Sequence, residues 1–125
     1  MNVVDSSGWL EYFADGVNAD FFAPVIENKD RLLVPVITLY EVFKRVLQQR
    51  SEEDALEAIS IMQQGQVIDL NTEISINAAK ISIDLRLPMA DSIILATSNL
   101  HNATFWTQDG DFQNIQGVKY IEKKS

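Results

Sequence analysis

The sequence has no cysteine, which removes disulfides, thiolate metal sites and a cysteine nucleophile together. Histidine is nearly absent too: His101 alone rules out a multi-histidine zinc site within one chain and weakens any Ser-His-Asp arrangement. No apolar run approaches the ~20 residues of a membrane span. The opening MNVVD lacks the basic stretch of a signal peptide, so a cytoplasmic location with no membrane association is the expectation. Positive charge is scarce, with 10 Lys and Arg against 18 Asp and Glu and a net charge of −8. That balance argues against a general nucleic-acid coat protein, but not against a nuclease whose acids gather around metal ions. Repeats, low-complexity segments and linkers are lacking as well. The 125 residues, 46% hydrophobic, read as one globular domain spanning 1–125.

What is present alternates between strand-like and helix-like stretches. NVV at 2–4 reads as a short buried strand with a polar end, Asp5-Ser6-Ser7, before GWLEYF, where Trp9, Leu10 and Phe13 share a helical face. A loop at 14–18 precedes a helix at 19–28 with Phe21, Phe22, Val25 and Ile26 on its apolar side and Pro24 inside it. RLLV at 31–34 is a second strand closed by Pro35, and 36–50 has the spacing of an amphipathic helix. Another helix starts at the Ser51 cap with an acidic first turn and runs to Gly65, so the two should form a hairpin suited to clasping a partner. A third strand at 66–70, helices at 71–85 and from 87 to about 102, a fourth strand at 103–107, a turn, a last strand at 118–121 and a solvated tail at 122–125 complete the chain. This order predicts an α/β three-layer fold: right-handed crossovers onto a mostly parallel central sheet flanked by helices.

The acids sit at the ends of these elements. In LPMADSIILATS, at 87–98, Pro88 is preset for a first helical position, and Asp91 falls in the first turn, where the helix dipole favours an anion. Ile93, Ile94, Leu95 and Ala96 follow and are too apolar for a surface helix. Asp5 ends the first strand and Asp109 follows the fourth, while Glu41 lies early in its helix. Each also has a local reading: Asp5 or Ser6 as an N-cap, TLYE at 38–41 as a capping box, Asp-Gly-Asp as an ordinary turn. Parallel strands, however, end along one edge, where Asp5, Glu41, Asp91 and Asp109 could meet. Two bare carboxylates about 6 Å apart repel by ~3 kcal/mol at an effective dielectric near 20, so such a cluster calls for a cation. Oxygen-only ligands point to magnesium or manganese, and the chemistry that follows most readily is attack of water on a phosphodiester.

VVDSS, TLYEV, LPMADSIILATS and TQDGDF resemble the four signature segments of the PIN-domain ribonucleases, in the compact form of the VapC toxins of prokaryotic toxin–antitoxin pairs. The resemblance runs over 5–112. It implies a PIN-like fold and a magnesium-dependent endoribonuclease acting on structured cellular RNA such as tRNA or rRNA. It also implies a homodimer, and a cognate antitoxin whose C-terminal peptide wraps the toxin. By position, Asp5, Glu41, Asp91 and Asp109 are the catalytic, metal-holding acids and Ser7 and Thr107 nearby polar supports; Asp111 either replaces or assists Asp109. Lys44, Arg45 and Arg50 are the expected phosphate contacts, and a groove between the 36–50 and 51–64 helices should accept the antitoxin, with an Arg or Lys reaching the carboxylates. Two other classes stay open. A phospho-receiver-like magnesium-binding domain has similar length, although Ser6 stands where it needs a second acid, Asp69 falls inside its strand and Lys119 is not followed by proline. The other is a catalytically silent interaction module, which needs every acid to be a cap.

Overall fold

A computed structural model describes residues 1–124; Ser125, the end of the expected tail, lies outside them. Its strands are β1 (Asn2–Val4), β2 (Leu32–Pro35), β3 (Gln66–Ile68), β4 (Thr104–Thr107) and β5 (Val118–Tyr120). The helices are α1 (Ser6–Phe13), α2 (Ala19–Glu27), α3 (Val36–Gln49), α4 (Glu52–Met62), α5 (Thr72–Leu85) and α6 (Met89–Leu100). Successive strand residues point to opposite faces, and that alternation sorts the core into layers. Val4, Leu32 and Val34 pack under α1 to α4 with Trp9, Phe22, Val42 and Met62. Val3, Leu33 and Phe105 face the other way, toward Leu87, Ile94 and Leu95 at the start of and within α6. Ile74 and Ala78 of α5 lock onto Ile93 and Ala96 of α6. The result is the three-layer architecture expected from the alternation.

The sheet order is β3-β2-β1-β4-β5 and every pairing is parallel, where a mostly parallel sheet was expected. Val3 stands in register with Leu33 and Phe105. The chain builds outward from β1 to β3 and then returns to lay β4 on the other side of β1. A crevice therefore opens beyond the C-terminal ends of β1 and β4, the place where open α/β sheets bind ligands. The same order removes the phospho-receiver reading. That fold keeps its third strand inside the sheet, in the order 2-1-3-4-5, whereas here β3 is an edge strand. Asp69, expected inside the strand, is exposed just beyond its end.

Other boundaries shift for local reasons. A 3-10 turn, Lys29–Arg31, takes the residue expected to open β2. Pro88 is the N-cap of α6 rather than its first residue, which leaves Asp91 in the first turn. Pro24 stays inside α2 on its exposed side. Glu122, expected in a free tail, has its carbonyl held by the Asn18 Nδ2 at 3.0 Å. Among the described residues no helix is long and apolar enough to cross a membrane.

Candidate metal centre

Asp5 is built into the junction between β1 and α1. Its backbone N–H donates to the Trp106 carbonyl at 3.1 Å, continuing the β1–β4 ladder past the end of the strand. The carboxylate caps α1 by accepting from the Gly8 N–H at 3.0 Å, and it also accepts from the Ser7 Oγ at 2.8 Å and the Thr107 Oγ1 at 2.7 Å. Asp5 is thus the N-cap of α1, and the same carboxylate stands close enough to Asp91 for their charges to interact. Gly8 is required here: a Cβ would sit 2.6 Å from Val4 Cγ1 and 2.7 Å from the Phe22 ring, so only glycine lets α1 start this close to the sheet. Burial pushes the Asp5 carboxyl up to about 6, against the opposing pull of the Thr107, Gly8 and Ser7 hydrogen bonds.

Thr107 joins the next acid to the first. Its Oγ1 donates to Asp5 and accepts from the Asp109 N–H at 2.9 Å, fixing where the chain leaves β4. Asp109 in turn caps a 3-10 turn, Gly110–Phe112, its Oδ1 accepting from the Asp111 N–H at 2.9 Å. The expected turn function of Asp-Gly-Asp is real, and it aims both carboxylates at α6. There Asp91, half-buried in the first turn, meets them: ligand oxygens of Asp91, Asp109 and Asp111 lie within 4.8 Å of one another. The Asp91 carboxyl is pushed up to about 7, by burial first and then by the charges of Asp109, Asp5, Glu41 and Asp111.

Glu41 comes to the same place, but not as a cap. Because α3 begins at Val36, Thr38 lies inside the helix and its Oγ1 donates to the Pro35 carbonyl at 2.7 Å. Glu41, a turn further on, is the acceptor of a 2.6 Å hydrogen bond from the Ser6 Oγ at the head of α1. The capping box suggested by TLYE does not form. All five acids therefore gather at one sheet edge, with Asp5 and Glu41 held by hydroxyl donors and Asp91, Asp109 and Asp111 closest together. An all-carboxylate set, with like charges crowding a half-buried Asp91, fits a hard divalent cation.

Three contributors leave no mark on the sequence. Asn18, Gln108 and Glu11 form a polar network behind the centre: Asn18 Nδ2 donates to Gln108 Oε1 at 3.0 Å, and Glu11 Oε2 accepts from the Asn18 N–H at 2.8 Å. Gln108 Nε2 donates to the Ser7 carbonyl and to Glu11 Oε1, both at 3.4 Å. The only available hint is that Gln108 adjoins Asp109. Of the basic candidates, Lys44 stands 5.7 Å over the Tyr40 ring and Arg45 is exposed. Arg50, capping the far end of α3, pairs with Asp54 at 3.0 Å. At 1.5 Å per residue it lies about 13 Å along the helix axis from Glu41.

The family model for the PIN domain matches residues 3–118. Among solved structures, a toxin–antitoxin complex from Klebsiella pneumoniae superposes with a TM-score of 0.78 at 23% identity, over 95% of this chain and 96% of that one. VapC20 of Mycobacterium tuberculosis, described as a sarcin–ricin loop cleaving toxin, gives 0.76 at 15% identity over 94% and 97%. DNA-bound VapBC from Salmonella typhimurium gives 0.73 at 17% identity over 98% of each chain. A search of curated proteins found no match.

Proposed function

The chain belongs to the PIN-domain family, and from that premise we propose that it is a metal-dependent endoribonuclease toxin of the VapC type, neutralised by a cognate antitoxin. The observation that carries this reading is the approach of Asp91, Asp109 and Asp111 within 4.8 Å, ringed by Asp5 and Glu41. Asp91, Asp109 and Asp111 would hold magnesium or manganese, with Asp5 and Glu41 completing the set. Such an ion, when bound, supplies a nucleophilic water and offsets charge developing on the phosphate. The chain's own residues provide the alignment. Thr107, Ser7 and the Gly8 N–H fix Asp5, and Ser6 orients Glu41, so the acids are positioned before substrate arrives. Structured cellular RNA, tRNA or rRNA, is the substrate class, a reading supported by the similarity to a toxin described as cleaving the sarcin–ricin loop.

The partners follow from the same comparison. Two of the similar structures were solved as toxin–antitoxin assemblies. On this chain Tyr40, Leu47 and Leu56 of the α3–α4 hairpin are exposed, Tyr40 at 60% and Leu56 at 54%. An antitoxin segment laid over them could bring an Arg or Lys to the carboxylates. A homodimer is the proposed state of the toxin. Cleavage of tRNA and rRNA by the purified protein, with magnesium, with EDTA, and in an Asp5→Asn variant, tests the reading. Cleavage should require the ion and Asp5; activity surviving both EDTA and Asp5→Asn would refute it.

A further inference from the structure

Beside the acidic centre, on its β5 side, a cleft of about 480 Å³ opens between the turn after β4 and the chain leaving β5. Ser7 and Asp109 line both the cleft and the centre, so an occupant would lie next to the reacting phosphate. The volume falls in the range of clefts that bury small ligands, roughly 300–1,000 Å³, and suits a single nucleotide.

Its floor is rigid. Gln108 is buried, and its amide is engaged by Asn18, Glu11 and the Ser7 carbonyl, so it serves as a wall and not as a reader. Asn18 also holds the Glu122 carbonyl at 3.0 Å, which pins the chain after β5 over the same network. At Gly110 no atom beyond its immediate chain neighbours lies within 4 Å of where a Cβ would stand, so the mouth is open on that side. The remaining walls are a half-buried aromatic residue, Tyr120, and two exposed residues of opposite charge, Glu122 and Lys123, of which only the Lys123 ammonium can hold a phosphate. An aromatic face and a cation flanking a phosphodiester-cleaving centre are what a single-stranded nucleotide recognises, the base by stacking and the phosphate by charge.

We propose that this cleft is a subsite for the nucleotide adjoining the scissile phosphate, its base stacked on Tyr120 and its distal phosphate on Lys123. The proposal rests on the ribonuclease reading above and places the substrate's path on the β5 side of the centre. Single-stranded RNA is the ligand, because a base must be unstacked from a duplex to reach the ring.

The experiment measures binding of a fluorescein-labelled, mixed-sequence single-stranded 12-mer RNA to cleavage-dead Asp91→Asn protein by anisotropy, adding further substitutions to that background. Removing the ring with Tyr120→Ala should weaken binding about tenfold or more, and Tyr120→Phe, which keeps the stacking face, should stay within about twofold. Lys123→Gln should lower the salt slope by about 0.7, and Lys119→Gln, an exposed cation outside the cleft, should leave it unchanged. Manganese calorimetry on each substitution in the wild-type background reports whether the centre is still assembled. If Tyr120→Ala loses manganese binding, Lys123→Gln and mapping of 4-thiouridine RNA cross-links decide, and they should point to Tyr120. Unchanged RNA binding in both Tyr120→Ala and Lys123→Gln, with wild-type cleavage still requiring magnesium and Asp5, overturns the subsite and leaves the ribonuclease reading standing. A wild-type protein that neither binds nor cleaves RNA overturns both.

Discussion

At Asp91 a negative charge is hard to hold. Its carboxyl, half-buried among four other acids, is raised to about 7 by burial and by those charges, and Asp5 is raised to about 6 mainly by burial. A carboxyl with a native pKa above its unfolded value binds more protons folded than unfolded in the interval between them. The stability it contributes is therefore full below about pH 4 and is lost as the pH rises through about 6 to 7. Thermal melts in EDTA should show the wild-type Tm falling from about pH 5 to about pH 8, with Asp91→Asn flattening the fall and melting higher at the alkaline end. A wild-type profile that is flat, or an Asp91→Asn protein less stable at the alkaline end, would return Asp91 to an ordinary first-turn charge. Magnesium should add ~2.7 kcal/mol at 100 times its dissociation constant, with affinity climbing through the same pH window because binding displaces protons. Asp91 was legible from a first-turn position followed by apolar residues. Glu41 was legible as an acid in the right place, but its local pattern named the wrong partner, since Ser6, 35 residues upstream, supplies the hydrogen bond. Asn18 and Gln108 were silent: they meet across 90 residues, and no short-range pattern encodes that contact.

The elements themselves were legible wherever periodicity or a cap marked them. Ser51 caps α4 through the Asp54 N–H at 3.1 Å, and Asn71 caps α5 through the Ile74 N–H at 2.9 Å, where polar residues before apolar runs predict helix starts. Short pieces were the ones misjudged: the 3-10 turn before β2 and the early end of β3 involve two or three residues, too few for a period to register. The α3–α4 hairpin shows how the structure sharpens a prediction at this scale. Val46 and Ile59 belong to or pack against the core, whereas Leu47 is 44% and Leu56 54% exposed. Substituting Val46 would confound binding with a cavity costing about 0.5–3 kcal/mol. Leu47→Asp with Leu56→Asp should instead keep the unfolding free energy within about 1 kcal/mol of wild type, about 0.5 for each surface change, while breaking co-purification with the antitoxin. An intact complex carrying both substitutions would move the antitoxin off this hairpin.

For the whole molecule, the alternation of strand and helix set the layers, but not which strand lies beside which. That order follows from long-range packing, and it turned out to matter most: with β4 returning beside β1, the residues after both strands meet at one crevice. If the proposed ribonuclease activity holds, five acids there, in a chain of net charge −8, would leave an RNA to be attracted by local cations and not by the overall field. Lys44, Arg45 and Arg50 are not equivalent sources of that attraction. Arg50 is paired with Asp54 across the hairpin turn, whereas Arg45 is exposed and Lys44 reaches over the Tyr40 ring with its ammonium toward solvent. Each phosphate contact to a single strand steepens the dependence of log affinity on log salt by about 0.7. The Lys44→Gln, Arg45→Gln double variant should therefore flatten the slope by about 1.4, whereas Arg50→Gln alone should leave it unchanged. RNA binding titrated from low to high salt checks both. A double variant with the wild-type slope would show that phosphates do not cross α3 at all, and would leave the approach past Lys123 as the route into the centre.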